Sequence, residues 1–220
     1  MADRRIEKWL RWLRTIEADV ERMHLHRMVF LRVDEIVRAN PKLPESYFFE
    51  YLSDTYAATQ SVAVRRQAES ADNVQTLGRL LFELEENASL MTRGLWISMW
   101  GDDDGVRLGI ADRQWDKYFA GEVGDHLDPG IPLRDRETLV DQARKIKRYV
   151  DKYLAHADRK PGKFEDPTFD ELDAAVDVLG ELLARYNGLL TLRSLLQITP
   201  ELQHDWEAVF RVPWLQSGRS

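Results

Sequence analysis

The sequence predicts an all-α protein, an antiparallel helical bundle of four to five long helices with an irregular insertion before the helix that carries its most distinctive motif. Apolar residues recur every three or four positions through most of the chain, which is the spacing of one helix face. Prolines and typical N-cap residues interrupt this periodicity between the predicted helices. The 220 residues are 44% hydrophobic and 31% charged, a balance typical of a folded chain, and we expect one domain over residues 1–220.

Charge and composition exclude several classes of function. The formal net charge of −7 argues against binding nucleic acid through overall charge, although a local basic face remains compatible with it. The chain has no cysteine, so disulfides, thiolate nucleophiles and cysteine metal sites are excluded. No apolar run of about 18 residues exists, and the first residues are charged, so we expect neither a membrane span nor a signal peptide, and a cytoplasmic location.

Three helices are predicted in the N-terminal half. Apolar residues step by three and four from Ile6 to Met23 and then continue in a shifted register until Pro41 ends the helix. We expect a kink or break where the register shifts, near residues 24–26. The second and third helices are predicted over about residues 44–70 and 73–87.

The middle of the chain is less regular. Residues 90–100 are apolar but weakly periodic, so a short helix and an extended segment both fit. Residues 101–132 form the predicted irregular insertion, with a short helix at about 114–119. Long insertions in compact domains are usually functional or mobile, so we expect this segment to be mobile or to cover the motif described below.

Two long helices are predicted near the C-terminus. The first runs from about Arg134 to His156. The second begins at Thr168, where Glu171 three residues later completes a capping box, and it ends before Pro200. Because only about ten residues join them, we expect the two helices to pair as a hairpin. A short tail helix follows at about residues 201–210.

One histidine, His156, lies near the end of the first of these helices. Arg148 and Lys152 precede it at intervals of four, so the three side chains share a face, which Arg144 extends. Such a row can bind the phosphates of RNA, and a histidine that titrates near neutrality can transfer protons. In cleavage without a metal ion, the 2′-hydroxyl attacks the neighbouring phosphorus while a histidine and a cation manage the proton and the developing charge.

The segment from Asp151 to Asp158, with Lys152 and the pair Ala155-His156, resembles the end of the motif helix in the HEPN superfamily, especially its abortive-infection branch. The resemblance covers residues 113–158 best. It implies a bacterial defence or stress protein that is a metal-independent endoribonuclease with no cofactor. The alternative that it implies is a non-catalytic dimeric module that binds a protein partner or antitoxin. It further implies a homodimer and RNA as the substrate.

The resemblance also assigns roles to individual residues. The catalytic residues would be His156, Asp151 and Arg148, and the RNA-binding residues would be Arg144, Lys152, Arg159, Arg65 and Arg66. The chain departs from the family at one position, because Val150 stands where the motif normally has an arginine. Arg148 lies two residues too early, about 12 Å along the helix from His156, so Arg65, Arg66 or an arginine of a partner chain would have to complete the site.

The adjacent arginines Arg65 and Arg66 point about 100° apart on a helix, so one can face the bundle and the other the solvent. A partly buried arginine needs a carboxylate partner, and Asp151 and Asp158 are the candidates.

Other polar clusters have simpler interpretations. The segment 124–130 could bring carboxylates and an imidazole to a metal ion, but its composition favours a turn. His24 and His26 point about 200° apart on a helix and are interpreted as surface or boundary histidines. Most of the seven tryptophans are expected to pack the bundle or a dimer interface. A small-ligand site in the bundle or beneath the insertion stays open.

Overall fold

The computed structural model describes residues 2–44, 46–101, 105–122, 124–154, 165–193, 198–199, 202 and 204–212. It confirms the all-α bundle: the described residues form helices and loops, with one isolated β-bridge between Thr92 and His126 and no strand. The α-helices are α1 (Ala2–Arg38), α2 (Tyr47–Gln67), α3 (Leu77–Glu86), α4 (Arg93–Ser98), α5 (Gly105–Tyr118), α6 (Gly130–Tyr149) and α7 (Phe169–Thr191). A π-helical turn, Val150–Leu154, extends α6, and 3₁₀ turns span Ala88–Leu90 and Trp206–Arg211.

The four longest helices, α1, α2, α6 and α7, pack on one another around a single apolar core. The buried residues of α1 follow the predicted stripe, and α7 contributes the longest buried face. Contacts at both ends confirm the predicted hairpin of α6 and α7: Lys145 pairs with Glu171 at 2.8 Å, and Asp135 pairs with Arg185 at 2.5 Å. The C-terminal part of α6 therefore lies beside the start of α7, and the start of α6 lies beside the C-terminal half of α7, as in antiparallel helices.

Local signals fix the start of α7. The Glu171 amide donates to Thr168 Oγ1 at 3.2 Å, and the Thr168 amide donates to Glu171 Oε2 at 2.8 Å. The predicted capping box is thereby confirmed. The first ring of α7, Phe169, stacks in series with Tyr56 and Phe30, whose centroids lie 4.0 Å apart. This stack ties α1, α2 and α7 together at one end of the bundle.

Several predicted boundaries are wrong. Helix α1 continues without a break through residues 24–26, because partly buried residues on its next face, such as Phe30, meet α2 and α7. Helix α3 begins at Leu77 rather than near Asn73, since Thr76 is the residue that caps it. Helix α6 begins at Gly130, earlier than predicted.

The insertion contains more regular structure than predicted. Helix α5 has 14 residues, and residues 93–98 form a helix rather than an extended segment. Trp115 is fully buried and Phe119 nearly so, and both rings lie within 6 Å of Trp96. The insertion thus belongs to the core at the start of α6. The motif lies at the other end of that helix, about 30 Å away at 1.5 Å per residue.

Helices α1 and α7 approach most closely where His24 faces Gly180. A Cβ added to Gly180 would lie 2.7 Å from His24 Nε2, so only glycine fits there without movement. His24 is buried, and burial lowers its pKa below the ordinary value of 6.5. The guanidinium of Arg27, 3.4 Å from His24 Nδ1, lowers this pKa further, against the opposing effects of Asp177 and the Val176 carbonyl.

We expect the stability of the protein to fall as the pH decreases below about 6.5. Because the folded pKa of His24 is depressed, the unfolded chain binds more protons in this range. The free energy of unfolding should therefore decrease, by at most about 1.4 kcal/mol per pH unit for one proton. In urea unfolding between pH 7.5 and 5.5, the neutral variant His24→Gln should show a shallower slope than the wild type. An unchanged slope would contradict the assignment to His24.

Candidate functional site

Helix α6, which carries the motif, continues into the π-helical turn Val150–Leu154, and this turn packs against α2. Single π turns are rare and occur often at functional sites. The predicted proton-transfer residue His156 and its neighbours Asp158 and Arg159 lie outside the described residues.

Val150 stands where the resemblance described above would place an arginine. Its side chain is only 3% exposed and belongs to the apolar core. A side chain at this position points into the bundle, where an unpaired guanidinium would be costly. The packing of this chain therefore favours an apolar residue at position 150.

Arg65 and Asp151 form the ion pair that fastens the motif turn to α2. Arg65 Nε lies 2.5 Å from Asp151 Oδ1, and both side chains keep just over a third of their surface exposed. Of the two predicted partners, Asp151 and Asp158, the first pairs with Arg65, and the second lies outside the described residues. Arg65 and Asp151 are thereby engaged with each other, and they hold the turn in place.

The next arginine, Arg66, faces α1 instead. It pairs with Asp19 at 2.8 Å, and Arg22 pairs with the same carboxylate. The buried Gln67 donates to Asp19 Oδ2 at 3.0 Å and accepts from the Leu77 amide at 2.9 Å, which fixes Asp19 in place. Two guanidinium groups thus share one carboxylate, leaving one uncompensated positive charge in this cluster.

This cluster lines a groove of about 550 Å³ between α1 and α2, which we call the arginine groove. Its walls are formed by Asp19, Arg22, Met23, His26, Ala58, Thr59, Gln60, Val62, Ala63, Arg66 and Leu154.

Two features of the arginine groove bear on function. Gln60 is buried and donates to the Met23 carbonyl at 2.7 Å, while its Oε1 accepts no hydrogen bond from any described residue. Leu154, at the groove's edge, is followed two residues later by His156. The groove therefore places positive charge, polar groups and the imidazole of His26 beside Leu154.

The structure separates the predicted RNA-binding residues into two sets. Arg65 and Arg66 meet the motif turn and the groove, whereas Arg144 pairs with its own helix neighbour Asp141 on an exposed face. Arg148 is exposed and Lys152 half-buried on the motif helix itself.

Sequence reasoning missed Arg22 and His26. These two residues are four apart on α1 and share a face. The sequence does not show that this face of α1 meets Arg66 of α2, because that meeting depends on how the two helices pack.

The other polar clusters have structural roles. Asp128 Oδ1 accepts a hydrogen bond from the Gly130 amide at 2.8 Å, which confirms the turn predicted for residues 124–130. Among the residues that the structure describes, no three histidine, aspartate or glutamate side chains are grouped to hold a metal ion. Four tryptophans, Trp9, Trp12, Trp96 and Trp115, are buried in the core as predicted.

No model of a known protein family, no curated protein and no solved structure matches this chain. Within the described part of the chain, no helix has the length and apolar character needed to cross a membrane.

The ion pair between Arg65 and Asp151 should contribute modestly to stability. Because both side chains are more than a third exposed, solvent screens their attraction, and we expect a coupling energy of about 0.2–1 kcal/mol. A double-mutant cycle with Arg65→Gln and Asp151→Asn, measured by urea unfolding, tests this. The exposed pair of Arg38 and Asp34 serves as the control and should couple no more strongly. Coupling above about 2 kcal/mol would contradict the screened geometry.

Proposed function

We propose that this chain is a HEPN-like helical protein of bacterial defence or stress that binds RNA in the arginine groove and cleaves it without a metal ion. The observation that supports this proposal is the sharing of Asp19 by Arg22 and Arg66 in a groove that ends at Leu154. An arginine fork suits the phosphate group, and one carboxylate cannot neutralise two such forks. The groove therefore attracts an anion although the whole chain is acidic.

The chemistry follows from the position of the groove. Phosphates held by Arg22 and Arg66 bring the RNA backbone to the end of the motif helix. His156, two residues beyond Leu154, then takes the proton from the 2′-hydroxyl or gives one to the leaving oxygen. Arg66 supplies the stabilising charge in place of the motif arginine, because Val150 is turned into the core.

RNA binding and cleavage are tested with purified protein in the presence of a chelator. Arg66→Gln should weaken binding to a labelled oligoribonucleotide and lower the slope of log affinity against log salt by about 0.7, the value for one phosphate contact with a single strand. Fluorescence anisotropy at several salt concentrations measures both effects. Arg211→Gln, which alters an exposed arginine outside the groove, is the matched control and should change neither.

Cleavage is followed on total cellular RNA with the wild type beside His156→Ala. The variant should lose cleavage and keep RNA binding, because the imidazole transfers protons and the arginines supply the affinity. Cleavage that persists at the wild-type rate in His156→Ala would contradict the role of this histidine. Binding without cleavage in the wild type would leave the RNA-binding half of the proposal standing and remove the catalytic half.

A second function, a non-catalytic dimeric interaction module of the same fold, is favoured by a different observation. An apolar face at the junction of α1 and α2 is exposed, with Tyr47 at 87% and Tyr51 at 64%. Phe48 and Leu43 continue this face. Exposed aromatic residues at such density mark protein interfaces.

A second copy of the chain is the partner that suits this face. Both signs of charge flank it in the sequence, with Arg38 and Lys42 before Tyr47 and Glu50 and Asp54 after it. A two-fold interface brings each residue of one set opposite the other set, so the same patch can complement itself.

Light scattering at micromolar concentration tests the dimer. The wild type should have twice the mass of one chain. The double variant Tyr47→Ser, Tyr51→Ser should dissociate more readily, with a dissociation constant of the dimer raised by at least about tenfold, because interface tyrosines often dominate binding energy. Val140→Ser, which removes an exposed apolar residue on α6, is the control. A monomeric wild type would contradict this second function.

A further inference from the structure

A second cavity lies beneath the insertion, against the C-terminal part of α7. It has a volume of about 420 Å³, within the range of small-ligand sites. We call it the aromatic pocket, and it is lined by Trp96, Trp100, Gln114, Tyr118, Phe119, Ala184, Arg185, Gly188, Leu192 and Arg193. Arg193 pairs with Glu17 on α1, two residues from Asp19 of the arginine groove, but the two cavities share none of their described lining residues.

Four aromatic rings form one wall of the aromatic pocket. Trp96 makes edge-on contacts with Trp100 and Phe119, at centroid distances of 5.5 and 5.7 Å. The indole N–H groups of Trp96 and Trp100 are buried, and no described residue accepts a hydrogen bond from either. Buried donors of this kind are costly to leave unpaired, and an acceptor brought by a ligand would offset that cost.

Two arginines, Arg185 and Arg193, also line the pocket. Arg185 Nη1 donates to both oxygens of the buried Asp135, at 2.5 and 2.6 Å, and Tyr186 donates to the same carboxylate at 2.8 Å. Arg193 pairs with Glu17 at 3.1 Å, and Glu21 lies in its field.

Both arginines are held in place by carboxylates. The described lining residues of the pocket include no carboxylate, and Asp135 and Glu17 are not among them. The pocket therefore presents hydrogen-bond donors and ring faces to whatever enters.

The backbone of α7 keeps this space open. Gly188 lies inside the helix, and a Cβ built on it would meet nothing within 4 Å. Glycine is a poorer helix former than alanine, so its presence here is not explained by the helix. Leu192, which caps α7, adopts a left-handed conformation with φ 58°, uncommon for a residue with a side chain, and it turns the chain so that Arg193 borders the pocket.

We propose that the aromatic pocket binds a small planar aromatic carboxylate. One or two fused rings stack against Trp100 and Tyr118. The carboxylate lies against the side edge of the Arg193 guanidinium, because Glu17 pairs with the two terminal nitrogens and a guanidinium has five N–H donors. Gln114 is the one amide among the described lining residues, so this part of the pocket offers few partners for the hydroxyl groups of a sugar. This scarcity favours a flat ring acid over a nucleotide.

Binding is tested with three probes, indole-3-carboxylate, 2-naphthoate and benzoate, by calorimetry and by quenching of tryptophan fluorescence. At least one of them should bind the wild type with a dissociation constant below about 1 mM. Gly188→Leu fills the pocket and should weaken binding by at least about tenfold. Gly188→Ala, which adds one methyl group in open space, is the matched control and should stay within about threefold of the wild type.

The role of the carboxylate is tested with the neutral analogue indole-3-carboxamide. Arg193→Gln should weaken indole-3-carboxylate by about tenfold or more and leave the carboxamide within about threefold, because hydrogen bonds to charged groups are the stronger ones. Arg193→Lys keeps the charge but loses the fork, and should give an intermediate loss. Thermal unfolding of each variant shows whether it remains folded.

Three results would overturn the proposal. The first is the failure of all three carboxylates to bind the folded wild type at millimolar concentration. The second is equal binding of the carboxylate and the carboxamide. The third is unchanged binding in a folded Gly188→Leu protein. RNA binding should be unaffected by either substitution at Gly188, so failure here is distinguishable from failure of the proposed RNA function.

Discussion

Helix α1 is the element on which the rest of the structure depends. It runs unbroken for 37 residues, about 55 Å, and its apolar side packs against α2, α3 and α7. Buried positions alternate at intervals of three and four from Trp9 to Met23, which keeps one face towards the core over the first two thirds of its length. Both the arginine groove and the stacked rings at Phe30 use residues of this helix, so an interruption near its middle would separate them.

Charge is distributed unevenly in this acidic protein. Several arginines pair one to one with carboxylates, as Arg65 does with Asp151, and such pairs position helices without creating a strong local field. Elsewhere in the described part of the chain several cations converge on one carboxylate: Arg5, Lys8 and Arg79 on Glu83, and Arg22 and Arg66 on Asp19. Of these two clusters, the one at Asp19 lines the arginine groove. A net charge of −7 therefore says little about what the groove between α1 and α2 attracts. The local excess decides which ligand this surface favours.

The two ends of α7 show how one helix can support different chemistry. Its N-terminus is fixed by a capping box and by the ring stack of Phe169, close to the motif turn. Its C-terminal half places Arg185 and Gly188 against the insertion. The insertion is not a loose loop around the motif; its tryptophan Trp115 is buried, so the insertion completes the core at the distant end.

The sequence by itself determined the all-α class, the capping box of α7 and the α6–α7 hairpin, because periodicity, caps and short connections are local signals. It offered Asp151 and Asp158 as partners for one of the two adjacent arginines, and the structure pairs Arg65 with Asp151. The sequence also located the unusual position Val150, but its burial is known only from the packing of α6 on α2. The continuity of α1, the meeting of Arg22 with Arg66 and the aromatic pocket were decided by tertiary structure alone. Each brings together residues that are far apart in the chain, and no local pattern encodes which faces of separate helices will meet.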